Sequence, residues 1–118
     1  MPGGAGPDRD RAALEAEWLM LTRATLPSLA EARGWPVRSD HCFQRVLLDV
    51  AVGGVWYDAV TQRPAYRCIA LASLERAVAL GRDVVAGTEN LAALNRLSLA
   101  WRRARRARGP REDGDLFA

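Results

Sequence analysis

The chain has 118 residues, of which 49% are hydrophobic, a composition typical of one globular domain and not of a disordered segment. Its 17 basic residues are all arginine. Residues 1–100 contain eleven arginines and eleven acidic residues, so their charges cancel. The last eighteen residues contain six arginines and three acidic residues and therefore carry the whole net charge of +3. No apolar run is long enough to cross a membrane, and residues 1–7 lack the basic and apolar segments of a secretory signal, so we expect a cytoplasmic protein without membrane contact.

The spacing of apolar residues predicts an all-α protein, a small bundle of four to five helices with short loops. No segment shows the alternating pattern of a strand, and no internal repeat is present. Residues 1–7 are rich in glycine and proline and are expected to be disordered. We therefore divide the chain into a disordered N-terminus, a single helical domain over 8–108 and a flexible tail over 109–118.

The first predicted helix begins at Asp8 or Asp10, since either side chain can cap a helix N-terminus. Its apolar residues recur at helical spacing from Leu14 onward. Pro27 is expected to kink this helix or to restart it in a first turn. Gly34, followed by Trp and Pro, predicts its end.

The second predicted helix begins at Ser39 or Asp40 and carries the most regular apolar stripe in the chain. The stripe consists of Phe43, Val46, Leu47, Val50 and Ala51. Gly53 and Gly54 predict its end. A short third helix is expected over residues 55–62.

The fourth helix is expected to start at Ser73 and to end at Gly87. Thr88 is the predicted cap of a fifth helix, with Glu89 in its first turn. The fifth helix should bury Leu91, Leu94, Leu97 or Ser98, and Trp101. It is expected to run through an arginine-rich segment and to stop near Gly109 and Pro110.

The corner formed by residues 53–67 combines aromatic and charged side chains in a way typical of partner-binding surfaces. Its candidate binding residues are Trp56, Tyr57, Arg63, Tyr66 and Arg67. One alternative is a helix corner that only packs against its neighbours. Another is the reading element of a helix-turn-helix, over 55–62 or 63–67, with arginines on the nucleic-acid backbone.

The arginine-rich segment of the fifth helix is the second candidate surface. Arg102, Arg103, Arg105 and Arg106 are its candidate binding residues. Closely spaced arginines can neutralise several phosphates, and such binding weakens steeply with salt. An alternative is a solvated helix end, because cations are favourable at a helix C-terminus.

Catalytic chemistry has weaker candidates in the sequence, namely His41, Tyr57 and Asp58. A general base needs an orienting partner in a cleft, and His41 could meet Asp58 or Tyr57 if the third helix folds back. The single histidine and the two cysteines, Cys42 and Cys68, do not supply a four-ligand metal site. We expect neither metal nor cofactor.

The stretches HCF (41–43), LLD (47–49), GGVWYD (53–58), RPAY (63–66) and LNRLSLAWR (94–102) resemble a group of short bacterial proteins that carry the label GCN5-related N-acetyltransferase. The resemblance covers residues 10–103 and implies an acetyl-CoA-dependent transferase. Such an enzyme needs a central β-sheet and a glycine-containing turn at a helix N-terminus for the pyrophosphate. The sequence has neither pattern, so no acetyl-CoA-binding residue is assigned.

The sequence therefore predicts a non-enzymatic helical binding module whose partner is a nucleic acid or an acidic protein. The two partners are not separable from sequence. An acyltransferase, or a small enzyme that uses His41 with Asp58 or Tyr57, is the alternative. The oligomeric state is left open.

Overall fold

The computed structural model describes residues 7–114, and the side chains of residues 10–108. This part of the chain is helical throughout, with seven α-helical segments, one π-helical segment and no β-strand. The all-α prediction is confirmed, whereas the count of four to five helices is not. None of these helices is long and apolar enough to cross a membrane. The predicted disorder of 1–7 and flexibility of 109–118 concern residues that all lie outside the described side chains.

The first predicted helix is continuous and consists of three consecutive segments: α1 (Pro7–Met20), a π segment (Leu21–Thr25) and α2 (Leu26–Ala30). The backbone N–H of Leu26 donates to the carbonyl oxygen of Leu21, five residues back. Pro27 lies in the first turn of α2, where its missing N–H is tolerated. The proline thus restarts the helix, one of the two predicted outcomes.

The central helix is α3 (Asp40–Val52), which packs against α6, α7 and the π segment. Ser39 precedes it in an extended conformation, and Gly53 ends it with a φ of 79°, a left-handed conformation that favours glycine. Its buried apolar side chains are Phe43, Val46, Leu47, Leu48 and Ala51. The predicted bounds are confirmed, and four of the five stripe residues are buried; Val50 is half-buried against the core, and Leu48 is buried although it was not predicted.

The corner after α3 folds as two single-turn helices, α4 (Trp56–Ala59) and α5 (Ala65–Cys68), and not as the one helix predicted over 55–62. The two turns are separated by a loop that includes a cis peptide bond between Arg63 and Pro64. The guanidinium of Arg11 in α1 donates to the carbonyl oxygens of Tyr66 and Ile69 at 3.1 and 2.7 Å. The corner is therefore attached to α1 as well as to α3.

The fourth predicted helix is α6 (Leu71–Ala86), which begins two residues before Ser73. It ends at Gly87, as predicted, with a φ of 86°. The largest fully buried side chains lie between this helix, α1 to α3 and α7. They are Trp18, Leu26, Phe43, Leu47, Leu74 and Leu91.

The last helix is α7 (Leu91–Gly114), which continues past Gly109 and Pro110, where its end was predicted. The predicted cap is wrong, because Thr88 donates its hydroxyl to the carbonyl oxygen of Asp83. The side chain of Asn90 instead accepts a hydrogen bond from the backbone N–H of Ala93 at 3.0 Å. An amide side chain one residue before the helix is a favourable cap, so Asn90 sets the start of α7.

Gly81 of α6 packs closely against Leu21 of the π segment and Leu47 of α3. A Cβ at this position would lie 3.1 Å from Cδ1 of Leu21 and 3.4 Å from Cδ1 of Leu47. We expect Gly81→Val to lower the free energy of unfolding by about 1–3 kcal/mol, because the added methyl groups overpack the site. Ala79→Val, at an exposed position of α6, is the matched control and measures the small cost of a β-branched residue in a helix. Equal urea midpoints for the two variants would contradict the prediction.

Candidate functional site

A buried carboxylate joins three elements of the fold. Asp49, in the last turn of α3, is 0% exposed. Arg102 of α7 donates from Nε and Nη2 to its two oxygens at 2.8 and 3.0 Å. Ser98 donates its hydroxyl at 2.7 Å, and the backbone N–H of Trp56 donates at 3.0 Å. The carboxylate thus connects α3 to α4 and to α7 with four hydrogen bonds.

The bonds around Asp49 extend to a second arginine. Arg45, one turn earlier on α3, donates to Oγ of Ser98 and to Oδ1 of Asn95, both at 2.8 Å. The hydrogen bonds from Arg102 to Asp49 raise the pKa of the Arg102 guanidinium above its ordinary value, although burial acts against this. We call Arg45, Asp49, Asn95, Ser98 and Arg102 the Asp49 cluster.

A second ion pair lies at the surface, one helical turn further along α7. Arg105 donates from Nε and Nη2 to the carboxylate of Asp58 at 2.9–3.0 Å. These hydrogen bonds lower the pKa of Asp58 below its ordinary value. The ring of Tyr57 lies beside both arginines, with its centroid 5.2 Å from Arg102 and 4.7 Å from Arg105. Two ion pairs and one aromatic ring therefore hold the corner against α7.

The predicted arginine-rich surface divides into two faces of α7. Arg102 and Arg105 point toward the bundle and bind carboxylates of the same chain. Arg103 and Arg106 are exposed, and helical periodicity places them about 100° and about 40° around α7 from Arg102. Of these four arginines, only Arg103 and Arg106 form no ion pair with a residue whose side chain is described.

Three of the other five predicted binding residues lie around a cleft between α1, the π segment, α3 and the corner, and Tyr57 lies outside it, beside α7. Trp56, Arg63, Tyr66 and His41 all line this cleft, which has a volume of 290 Å³. The guanidinium of Arg63 lies 4.6 Å from the centroid of the Trp56 ring. Arg67 is exposed and does not line the cleft. Residues that are scattered in the sequence are thus brought to one concave surface.

The catalytic candidates do not meet as a group. Nδ1 of His41 lies 3.4 Å from Asp40 and its Nε2 3.4 Å from Ser39, while Asp58 binds Arg105 of α7. His41 does share the cleft with Tyr66. The corner also offers no long reading helix, because α4 and α5 have four residues each. A helix-turn-helix needs a helix that lies in the major groove, so this alternative has no element to carry it.

The sequence reasoning missed the Asp49 cluster. A signal was present, because Asn95, Ser98 and Arg102 are spaced at i, i+3 and i+7 and therefore form a polar stripe within the apolar face of α7. Arg45 and Asp49, at i and i+4, form the matching stripe on α3. Two polar stripes on neighbouring helices indicate that the helices are paired through them.

Cys42 and Cys68 are free thiols. In the part of the chain with described side chains, no group of three or more histidine, cysteine or acidic residues is placed to hold a metal ion. Comparison of the chain with protein families, with curated proteins and with solved structures finds no match. The resemblance to proteins labelled as GCN5-related N-acetyltransferases therefore stays a prediction, and a function has to be inferred from the geometry.

Proposed function

We propose that this protein is a non-enzymatic binding module that contacts the phosphate backbone of nucleic acid through one face of α7. We define this outer face by Arg96, Arg103 and Arg106. All three side chains are exposed. Within residues 10–108, none of them forms an ion pair with an acidic residue. This unneutralised positive face is the observation that supports the proposal.

The spacing of the three arginines suits a repeating anion. Positions 96, 103 and 106 follow helical periodicity, so their side chains project from the same side of α7. They span about 15 Å along the helix axis, at about 1.5 Å per residue. Along one strand of DNA a phosphate occurs about every 3.4 Å of the duplex axis, which is much less than the span of the three arginines. A helix face of this length can therefore contact several phosphates.

The inner face of α7, which carries Arg102 and Arg105, supports the same function because its ion pairs attach the helix to the bundle. The pairs Asp49–Arg102 and Asp58–Arg105 fix two successive turns of α7 against the bundle. Arginines on a rigid element lose less conformational freedom on binding than arginines on a mobile segment. The ion pairs thus present the outer face in a set orientation.

The composition of the outer face favours nucleic acid over an acidic protein. Residues 91–108 contain six arginines, no acidic residue and a single aromatic residue, Trp101. Trp101 lies in the groove beside Gly53 and Asp58, away from the outer face. Protein interfaces depend on large apolar or aromatic anchors, and α7 exposes two leucines, Leu97 at 42% and Leu99 at 38%. Phosphate contacts need only positive charge, which Arg96, Arg103 and Arg106 supply.

The test is the salt dependence of binding to a short DNA duplex. If three arginines contact phosphates, the logarithm of the association constant should fall against the logarithm of salt with a slope of about −2.7, so affinity drops roughly 40-fold between about 50 and about 200 mM salt. The double substitution R103Q/R106Q should weaken binding and reduce the slope to about −0.9, since one contact remains. Fluorescence anisotropy of a labelled duplex measures both quantities.

The matched control is R38Q/R67Q, which removes the same charge from exposed positions outside both α7 and the cleft. Its slope should equal that of the unchanged protein. Equal losses in the two double variants would indicate a non-specific effect of net charge and would contradict the assignment to α7. Weak salt dependence combined with binding to an acidic protein surface would instead favour a protein partner.

A further inference from the structure

The cleft between the corner and α3 carries positive charge that nothing in it neutralises. Its ionisable lining residues include Arg23 from the π segment, Arg45 from α3 and Arg63 from the loop before α5. No aspartate or glutamate is among the described residues that line it. A concave surface focuses the field of such charges, so an anion is attracted to it from solution.

The three arginines keep most of their charge available to a ligand. Arg45 bonds to the neutral side chains of Ser98 and Asn95, and no carboxylate contacts it directly within residues 10–108. Arg23 and Arg63 are exposed, and neither forms an ion pair with a described residue. These guanidinium groups are planar donors that match the two oxygens of a carboxylate or phosphate.

The remaining walls of the cleft are apolar. Trp18 contributes a side chain that is otherwise buried, and Leu48 of α3 lies next to it in the lining. Trp56 and Tyr66, both half-buried, complete the apolar lining from α4 and α5. Apolar walls with a few polar groups at the edge are typical of sites for small organic molecules and not of sites for bare inorganic ions.

The size of the cleft limits the ligand. Its volume of 290 Å³ lies at the lower end of the range of about 300–1,000 Å³ seen for small-molecule sites. A compound of one or two rings fits such a space. Aromatic compounds also stack favourably on tryptophan and tyrosine rings.

We infer that this cleft is a binding site for a small aromatic compound that carries an oxyanion, either a carboxylate or a phosphate. The oxyanion binds between Arg23 and Arg63. The aromatic ring lies against Tyr66 and over the buried side chain of Trp18, beside the Trp56 ring, which Arg63 covers on one face. This site is separate from the outer face of α7, and it does not depend on nucleic-acid binding.

The test is isothermal titration calorimetry of the full chain with paired probes. Benzoate and phenylacetate carry the oxyanion, benzamide and phenylacetamide are their neutral counterparts, and phenyl phosphate distinguishes phosphate from carboxylate. At least one of the three anions should bind with a dissociation constant below about 10 mM and at least about 10-fold more tightly than the amides. Inorganic phosphate alone should bind more weakly, since it lacks the ring.

Substitutions locate the site. Arg63→Gln and Arg23→Gln should each weaken binding of the best anion by about 10-fold, because each removes a charge-assisted donor pair. Arg63→Lys should retain part of the affinity, and Arg38→Gln, at an exposed position that does not line the cleft, should leave it unchanged.

Several outcomes would overturn the inference. One is that no anion of the set binds, and another is that the amides bind as tightly as the anions. Equal effects of Arg38→Gln and Arg63→Gln would also overturn it, as would inorganic phosphate that binds as tightly as phenyl phosphate. The variant R103Q/R106Q leaves the lining of the cleft intact, so loss of nucleic-acid binding and loss of cleft binding are measured independently.

Discussion

Replacement of Asp49 by alanine is expected to lower the free energy of unfolding by about 3–5 kcal/mol, as is usual when one partner of a buried ion pair is removed. The side chain is 0% exposed, and it accepts hydrogen bonds from Arg102, Ser98 and the backbone of Trp56. Its loss leaves the half-buried guanidinium of Arg102 without a counter-charge and two further donors without an acceptor. Urea unfolding followed by circular dichroism measures the change.

Asp58 provides the matched control for Asp49. Both carboxylates bind an arginine of α7 through two guanidinium nitrogens, but the side chain of Asp58 is 51% exposed and that of Asp49 is 0% exposed. Asp58→Ala should therefore cost at most about 1 kcal/mol, because water screens an exposed pair. Similar losses in the two variants would show that the pairing and not the burial determines the cost, and would contradict the role given to Asp49. If Asp49→Ala does not fold, Asp49→Asn allows the comparison, since it retains the shape of the side chain.

Phe43→Ala is the second substitution expected to have a large effect, with a loss of about 3–5 kcal/mol in the free energy of unfolding. Phe43 is 0% exposed in the middle of the core, and its ring packs edge-on against Trp35 with centroids 5.8 Å apart. Truncation removes buried apolar area and leaves a cavity that the helices on each side cannot fill. Trp35 lies in the loop between α2 and α3, so this loop should also lose its anchor. The urea midpoint and the tryptophan emission maximum measure the two effects.

Leu97→Ala is the control for the core substitution. Leu97 is 42% exposed on α7, so its truncation should change the free energy of unfolding by no more than about 0.5 kcal/mol. Phe43→Leu should cost clearly less than Phe43→Ala, because it retains most of the volume. A loss for Leu97→Ala that approaches that for Phe43→Ala would indicate that Leu97 is buried in solution, for example in an interface.

Helix boundaries were predictable where glycine sets them. Gly53 and Gly87 adopt positive φ directly after α3 and α6, as predicted, whereas Gly34, also at positive φ, lies four residues past the end of α2 at Ala30. Only glycine adopts this conformation at low cost, so its position carries information that does not depend on the rest of the chain. Helix starts were less predictable, because Thr88 and Asn90 are both good caps and only the direction of the chain after α6 determines which one is used.

The faces of α7 were harder to assign than its existence. Ser98 is buried and Leu97 is exposed, which hydrophobicity alone does not suggest. The reason lies on another helix, because the carboxylate of Asp49 meets this side of α7 and requires hydrogen-bond donors there. A buried charge on one helix thus selects which face its neighbour turns inward.

The candidate sites divide in the same way. The arginine-rich segment and the aromatic corner were evident from sequence, because both are compositional features of short stretches. The sequence did not show which arginines remain without a carboxylate partner. Arg102 binds a carboxylate 53 positions earlier in the chain, and Arg105 binds one 47 positions earlier. The cleft likewise combines residues from α1, the π segment, α3 and the corner.

The sequence by itself determined that the described part of this protein is all-helical, that α3 and α6 end at Gly53 and Gly87, and where most of the apolar stripe of α3 lies. These properties follow from local backbone preferences and from periodicity, which act over a few residues. Only the tertiary structure decided that Asp49 is buried, that Arg102 and Arg105 turn inward, and that Arg23, Arg45 and Arg63 share one cleft. The interaction between two charges depends on the distance between them in space, and that distance is set only when the helices pack together.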